Sequence, residues 1–215
     1  MLPFTRYEFF GVFAAYNAAI WPVAIVASPL AIAALLFAYR ATKKLSHVVA
    51  AILALMWGWV GYIYHGVYFS QINPVARLFA AAFVLQALLF GLNTVRDGGL
   101  EFGPRSRVRS AAGAIMIVYA LIAYPLIGLM VGETYPAMPL FVVTPCPLLI
   151  FTFGLLLWAT RARWWLWIVP IMWSMVGGSA ALLLSVPQDW ALPFFAVAAL
   201  ILILADRADS RQSSS

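Results

Sequence analysis

Apolar residues along this chain fall into long runs, each near the length of one bilayer crossing and each separated from the next by a short polar connection. The runs cover Asn17 to Tyr39, His47 to Phe69, Pro74 to Val95, Ser110 to Val131, Pro147 to Thr160, Trp164 to Val186 and Trp190 to Ala205. A bilayer core about 30 Å thick takes about 20 helical residues. The pattern therefore predicts an all-α fold: a polytopic membrane helical bundle of seven transmembrane helices, forming a single domain over residues 1–209. Thr5-Arg6-Tyr7-Glu8 matches the capping box, in which a threonine hydroxyl and a glutamate three residues on satisfy orphan amides, so a helix should start at Arg6. Unbroken to Tyr39 it would be about 50 Å long at 1.5 Å per residue, well beyond one bilayer core. The expectation is a division, with residues 1–16 as an interfacial helix carrying Phe9, Phe10 and Phe13, and a first span bent at Pro22 and Pro29. Ser210 to Ser215 reads as a disordered polar tail.

Composition agrees with the pattern. Hydrophobic residues make up 65% of the 215 and charged ones only 9%, against about 25% charged in soluble domains. A water-soluble fold, and with it a hidden soluble catalytic domain, is excluded. The net charge of +6 does not mark a nucleic-acid partner, because the basic residues sit in alternate connections. Arg40, Lys43 and Lys44 follow the first run; Arg96, Arg105, Arg107 and Arg109 the third; Arg161 and Arg163 the fifth; Arg207 and Arg211 the last. The positive-inside rule then gives an N-terminus outside and a C-terminus in the cytoplasm, with +7 on the inner face and −1 on the outer. Only Arg6 and Arg77 fall outside. Arg6 is followed closely by Glu8, unlike the basic start of a cleavable signal, so the N-terminal segment is expected to be retained.

Candidate chemistry gathers toward the predicted outer face. Pro139, Pro145 and Pro147 keep the outer third of the fifth run from forming a regular helix, and the carbonyls of Phe141 and Val143 lose their helical partners. Irregular backbone at membrane depth survives only inside protein or beside a water-filled cavity, so residues 139–146 are expected to border a hydrated polar pocket. A half-helix should start at Pro147, with Cys146 at its N-cap and Thr144 just before it. Cys146 is the chain's single cysteine, which excludes an internal disulfide and any paired-cysteine metal motif. Gly58, Gly61, His65 and Tyr68 share one helical face, where the glycines admit a close neighbour and turn the imidazole away from lipid. An ionisable residue inside a span is a functional candidate. Asn73-Pro74 reads as a helix cap and first turn. Arg77, a cation in a first helical turn, should pair with Glu133 or Asp189. Gly177 and Gly178 belong to a small-residue face for helix contact, while Gln86 and Asn93 favour interhelical hydrogen bonds.

The order of these features resembles that of a bacterial family of multi-pass membrane proteins classed as a domain of unknown function. The resemblance rests on Tyr16-Asn17 with Trp21-Pro22, Tyr64-His65, Ile72-Asn73-Pro74, Tyr124-Pro125, Tyr135-Pro136, Pro145-Cys146-Pro147 with Ile150-Phe151-Thr152, and Gly177-Gly178-Ser179-Ala180. It covers nearly the whole chain and implies a protein of the bacterial cytoplasmic (inner) membrane. It implies no activity. The family pattern often has a histidine near Gly132 where this chain has Glu133, which weakens a metal-site reading. Microbial rhodopsins share the span count but need a lysine in the last span, and the only lysines here are Lys43 and Lys44.

Three functions fit these residues. The first is binding or permeation of a small solute or ion at an outer-facing site built from Asn17, Tyr64, His65, Tyr68, Arg77, Glu133, Thr144 and Cys146, with Asn73, Pro74, Pro145, Pro147, Gly177 and Gly178 as structural support. Broken helices of this kind hold ions in transporters. The second is an accessory or assembly subunit of a larger membrane complex, or a homo-oligomer. The third is a membrane enzyme with Cys146 as nucleophile and His65 as base, ranked last because no third group orients them. An enzyme is the less favoured class. The sequence specifies no cofactor, and His65 with Cys146 alone does not make a metal cluster.

Overall fold

The computed structural model describes residues 2–95, 98–103 and 105–212, with side chains through residue 206. Among the described residues, seven helices make the fold. Helix α1 is Arg6–Arg40 and α2 is Lys43–Gln71; α3 is Ala76–Leu92, α4 Arg107–Met130 and α5 Pro145–Trp158. Helix α6 is Trp164–Leu184, and α7 is Ala191–Gln212 after a 3₁₀ turn, Pro187–Trp190. Helices α1, α2, α4, α6 and α7 with its preceding turn (Pro187–Asp206) are long and apolar enough to cross a membrane; α3 and α5 are shorter. Exposed apolar side chains such as Leu78 at 70% and Phe194 at 73% form a surface that water would not tolerate as a continuous patch.

The expected break near residue 16 is absent. Helix α1 runs unbroken through 35 residues with Pro22 and Pro29 inside it, starting from the predicted box: Glu8 N–H donates to Thr5 Oγ1 at 3.2 Å and Thr5 N–H to Glu8 Oε2 at 2.7 Å. Its first half stays helical because Val12, Phe13, Tyr16, Asn17 and Ile20 are buried. At the other end of the chain, α7 continues through Gln212, into the stretch expected to be a disordered tail; residues 213–215 lie outside the described residues, as do Arg96 and Pro104 of the longest connection.

Packing follows the small residues. A Cβ on Gly61 would sit 2.9 Å from Phe83 Cβ, which fixes how closely α2 and α3 approach, and a Cβ on Gly178 would meet Pro193 Cδ at 2.9 Å between α6 and α7. Gln86 Nε2 donates to Leu166 O at 3.0 Å, an interhelical bond as expected, whereas Asn93 bonds within its own helix, to Leu89 O. Helix α5 is the hub. Leu148 through Phe153 and Leu155 through Leu157 are fully enclosed, as suits a helix apolar all round. Trp57 Nε1 ties α2 to it by donating to Thr152 Oγ1 at 3.0 Å.

The two ends of the bundle differ. At the basic end Glu101–Phe102 pairs with Ala159–Arg161 in a short antiparallel ladder. Arg109 bridges Asp206 at 2.6 Å and donates to Ala159 O at 2.8 Å, and Arg105 donates to Trp158 O at 3.0 Å while lying over the Trp158 ring. The opposite end carries the irregular 131–144 segment, the turn before α7 and the C-terminal end of α2. There α2 widens into a π-helix over Val60–Tyr68, a form common at functional sites. This turns Tyr64 and His65 into the interior.

Candidate functional site

Two buried polar groupings lie at this end, and they are built differently. The first is a strap. Residues 136–144 run outside any helix, with Val142 at φ +73°, and three of their carbonyls are met by side chains of α1. Tyr16 Oη donates to Val143 O at 2.6 Å, and Asn17 Nδ2 donates to Pro136 O and to Met138 O, both at 2.7 Å. Trp59 Nε1 donates to Tyr16 Oη at 2.9 Å, and Thr144 Oγ1 donates to Leu140 O at 2.7 Å. Of the expected 139–146 segment only Pro145 and Cys146 border a polar cavity, and the orphan carbonyl of Val143 is taken by the Tyr16 hydroxyl instead. The half-helix also starts earlier than expected. Thr144 is the N-cap residue and Pro145 the first helical residue, which places Cys146 and Pro147 inside the first turn.

The second grouping surrounds a cavity of about 130 Å³ between α2, α5, α6 and the N-terminal segment, room for several waters. Its polar lining comprises Tyr64, His65, Asn73, Cys146, Ser179 and Asp189, with Trp173 among the aromatic walls. His65 is fully buried, yet neither ring nitrogen has a hydrogen-bond partner; Trp173 Nε1 is likewise unpartnered. The imidazole is held only by rings: Phe83 at 4.7 Å, Trp173 at 4.8 Å and Tyr64 at 5.0 Å between centroids. Asp189, on the 3₁₀ turn, accepts from Tyr124 Oη at 2.6 Å and lies beside Cys146. A Cβ on Gly177 would come 3.2 Å from Leu192 Cδ1, 3.4 Å from Trp173 Nε1 and 3.8 Å from Cys146 Sγ, so the glycine allows α7, Trp173 and Cys146 to approach closely here.

The expected site residues are thus divided. His65, Cys146 and Tyr64 share the cavity. Asn17 and Thr144 belong to the strap, and Tyr68 packs edge-on against Tyr16 at 5.2 Å without lining the cavity. Asn73 does cap the next helix, accepting from Val75 N–H at 3.2 Å, but regular α3 starts at Ala76, after Pro74, and Asn73 also lines the cavity. Arg77 is exposed and makes no ion pair among the described residues. Its two expected partners are engaged elsewhere: Glu133 Oε2 accepts from Gln188 Nε2 at 2.6 Å, and Asp189 is held by Tyr124. Burial pushes the Glu133 carboxyl above its ordinary value, against smaller downward pulls from Gln188 and Arg6. The nucleophile–base arrangement of Cys146 with His65 is not formed, since His65 has no hydrogen-bonded partner. Among the described residues no three His, Cys, Asp or Glu side chains gather as a metal site.

Trp173 is a functional candidate that sequence reasoning passed over, and Asp189 one that it considered only as a partner for Arg77. Asp189 directly precedes the last apolar run, and its buried position depends on the 3₁₀ turn folding inward. Trp173 was one apolar position among many in its run.

These features define an all-α protein, with helices apolar enough to cross a membrane and a buried, partly unsatisfied polar cavity at one end of the bundle. The chain belongs to the DUF6064 family of unknown function, which it matches over residues 6–214. No curated protein and no solved structure matches it.

Proposed function

We propose that this chain is a seven-span protein of the bacterial cytoplasmic membrane, with its N-terminus and cavity end outside, that binds a small solute in the cavity bounded by His65, Cys146, Trp173 and Asp189. One observation carries the reading: three polar nitrogens, both of His65 and the indole of Trp173, lie buried without partners on the wall of a space large enough to hold a molecule. Buried polar groups are normally satisfied, and each exception calls for an explanation such as a bound molecule. Seven spans fit the alternation of basic connections, and the outward direction follows from the same charge bias. The shorter α3 and α5 are compatible with spanning because α5 is enclosed by protein and need not match the lipid thickness itself.

The single cysteine supplies the test. In the folded protein, methyl methanethiosulfonate at alkaline pH should modify Cys146, and Ser179→Leu, which adds bulk to the cavity lining, should slow that reaction about tenfold or more. A thiol that reacts only after denaturation would overturn the reading. Right-side-out and inverted vesicles, treated in parallel with a charged thiosulfonate, should react faster in the right-side-out orientation.

A further inference from the structure

The cavity also has a charge imbalance that indicates what class of molecule occupies it. Asp189 is only 5% exposed, and its carboxyl group meets two neutral donors, the hydroxyl of Tyr124 and the thiol of Cys146, and no cation. No lysine or arginine lines the cavity. The nearby Glu133 is bonded to neutral Gln188, so it adds no positive charge. A buried carboxylate is ordinarily paired or bound to a cation, because burial of an uncompensated charge is costly. The rest of the wall is aromatic: Phe4, Phe9, Phe13, Phe69, Phe79 and Trp173 surround the space together with Tyr64.

Resting on the reading of this cavity as a binding site, we infer that its occupant is a small organic cation, an amine or quaternary ammonium. Its charge lies toward Asp189 and its carbon shell lies against the rings. Aromatic walls attract such cations through their ring quadrupoles and replace their weak hydration at low cost. A bare inorganic cation fits poorly, because hard cations require several oxygen ligands and this wall offers one carboxylate. His65, fully buried and unpartnered, provides a neutral imidazole that accepts an N–H from a protonated amine. A depression lined by Leu2, Phe4, Thr5, Arg6, Glu8 and Leu184 adjoins the cavity through Leu2, Phe4 and Leu184. It supplies an approach from the surface with Glu8 on its rim.

The experiment uses the full chain in lipid nanodiscs. The probes are choline, its uncharged isostere 3,3-dimethyl-1-butanol, and potassium chloride, at equal concentration. The readouts are the rate of Cys146 modification and the melting temperature. Choline should raise Tm and slow modification about tenfold or more, the scale of a desolvated charge contact, while the isostere and potassium do neither. Asp189→Asn, which can still accept from Tyr124, should abolish the choline effect, and Asp189→Glu should retain part of it. The wild-type comparison of choline with its isostere decides the matter even if both variants misfold. Equal protection by the isostere would overturn the cationic assignment and leave a binding pocket for apolar solutes. A reactive Cys146 that no probe protects would overturn it as well. Should Cys146 react only after denaturation, the pocket itself fails and the cation with it.

Discussion

The strap and the cavity lie at the same end of one bundle and are both buried, but their side-chain nitrogens are in opposite conditions, although Asn17 Oδ1 in the strap also has no partner. In the strap, Tyr16 donates to Val143 O, which Pro147 leaves without a helical partner, and Asn17 donates to the Pro136 and Met138 carbonyls of the non-helical segment before it. Around the cavity, His65 and Trp173 hold polar atoms that nothing in the chain uses. The difference separates two reasons for placing polar residues in an apolar core. A donor taken up by the backbone holds a fold that would otherwise fail, whereas an unused nitrogen beside empty space keeps a position open for something else.

Substitutions should divide along that line. Asn17→Leu should produce the largest loss, about 1–3 kcal/mol for each of the two carbonyls left buried and unpaired, measured as a fall in stability by denaturant titration in mild detergent. A loss below that of a single carbonyl would show that the strap does not depend on Asn17. Tyr16→Phe comes next, at about 1–3 kcal/mol, because Val143 O and the Trp59 indole both lose their partner; the indole emission of Trp59 should shift as well. Glu133 gives a smaller and pH-dependent effect. Its folded-state value lies above the ordinary glutamate range, so its contribution is fully present below about pH 4.3 and is lost as pH rises through the folded-state value. Glu133→Gln should flatten that part of the stability profile, and an unchanged slope in the variant would assign the pH dependence to other groups. His65→Phe should have the least effect on stability, within about 1 kcal/mol of zero, because it removes an unsatisfied group and not a bond. A loss comparable to that of Asn17→Leu would place His65 with the structural set and erase the contrast.

Much of the helical layout could be read from the sequence, because run length and turn residues act locally. The ends of α2, α4 and α6 fall close to the edges of apolar runs, and the capping box at Thr5 forms as written. The division of α1 was misjudged for a tertiary reason. Proline removes a single helical bond, and burial of Phe13, Tyr16 and Asn17 against the strap keeps the axis continuous around the supposed hinge. The start of α5 moved by two residues because Thr144, and not Cys146, adopts the extended capping conformation.

The site was legible only in part, for related reasons. His65 and Cys146 stood out as reactive types inside apolar runs, and they do line one cavity. Asn17 and Thr144 looked equally polar in sequence, but residue type does not reveal whether a carbonyl from a distant segment will occupy the side chain. Arg77 followed from a local dipole argument that exposure to solvent answers without any partner. Asp189 was read as an acid in a connection because its inward turn depends on Tyr124 and Cys146, which are far away in the chain.

The enclosure of α5 has a further consequence for how the molecule meets its surroundings. At 14 residues it is about 21 Å long, too short to match a bilayer alone, and its neighbours supply the contact with lipid on its behalf. A photoactivated probe dissolved in the acyl chains should decorate α1 and α7 and leave α5 blank. During biogenesis the same helix gains its stable environment only as the others close around it, so its leucines and phenylalanines serve as the closing piece of assembly.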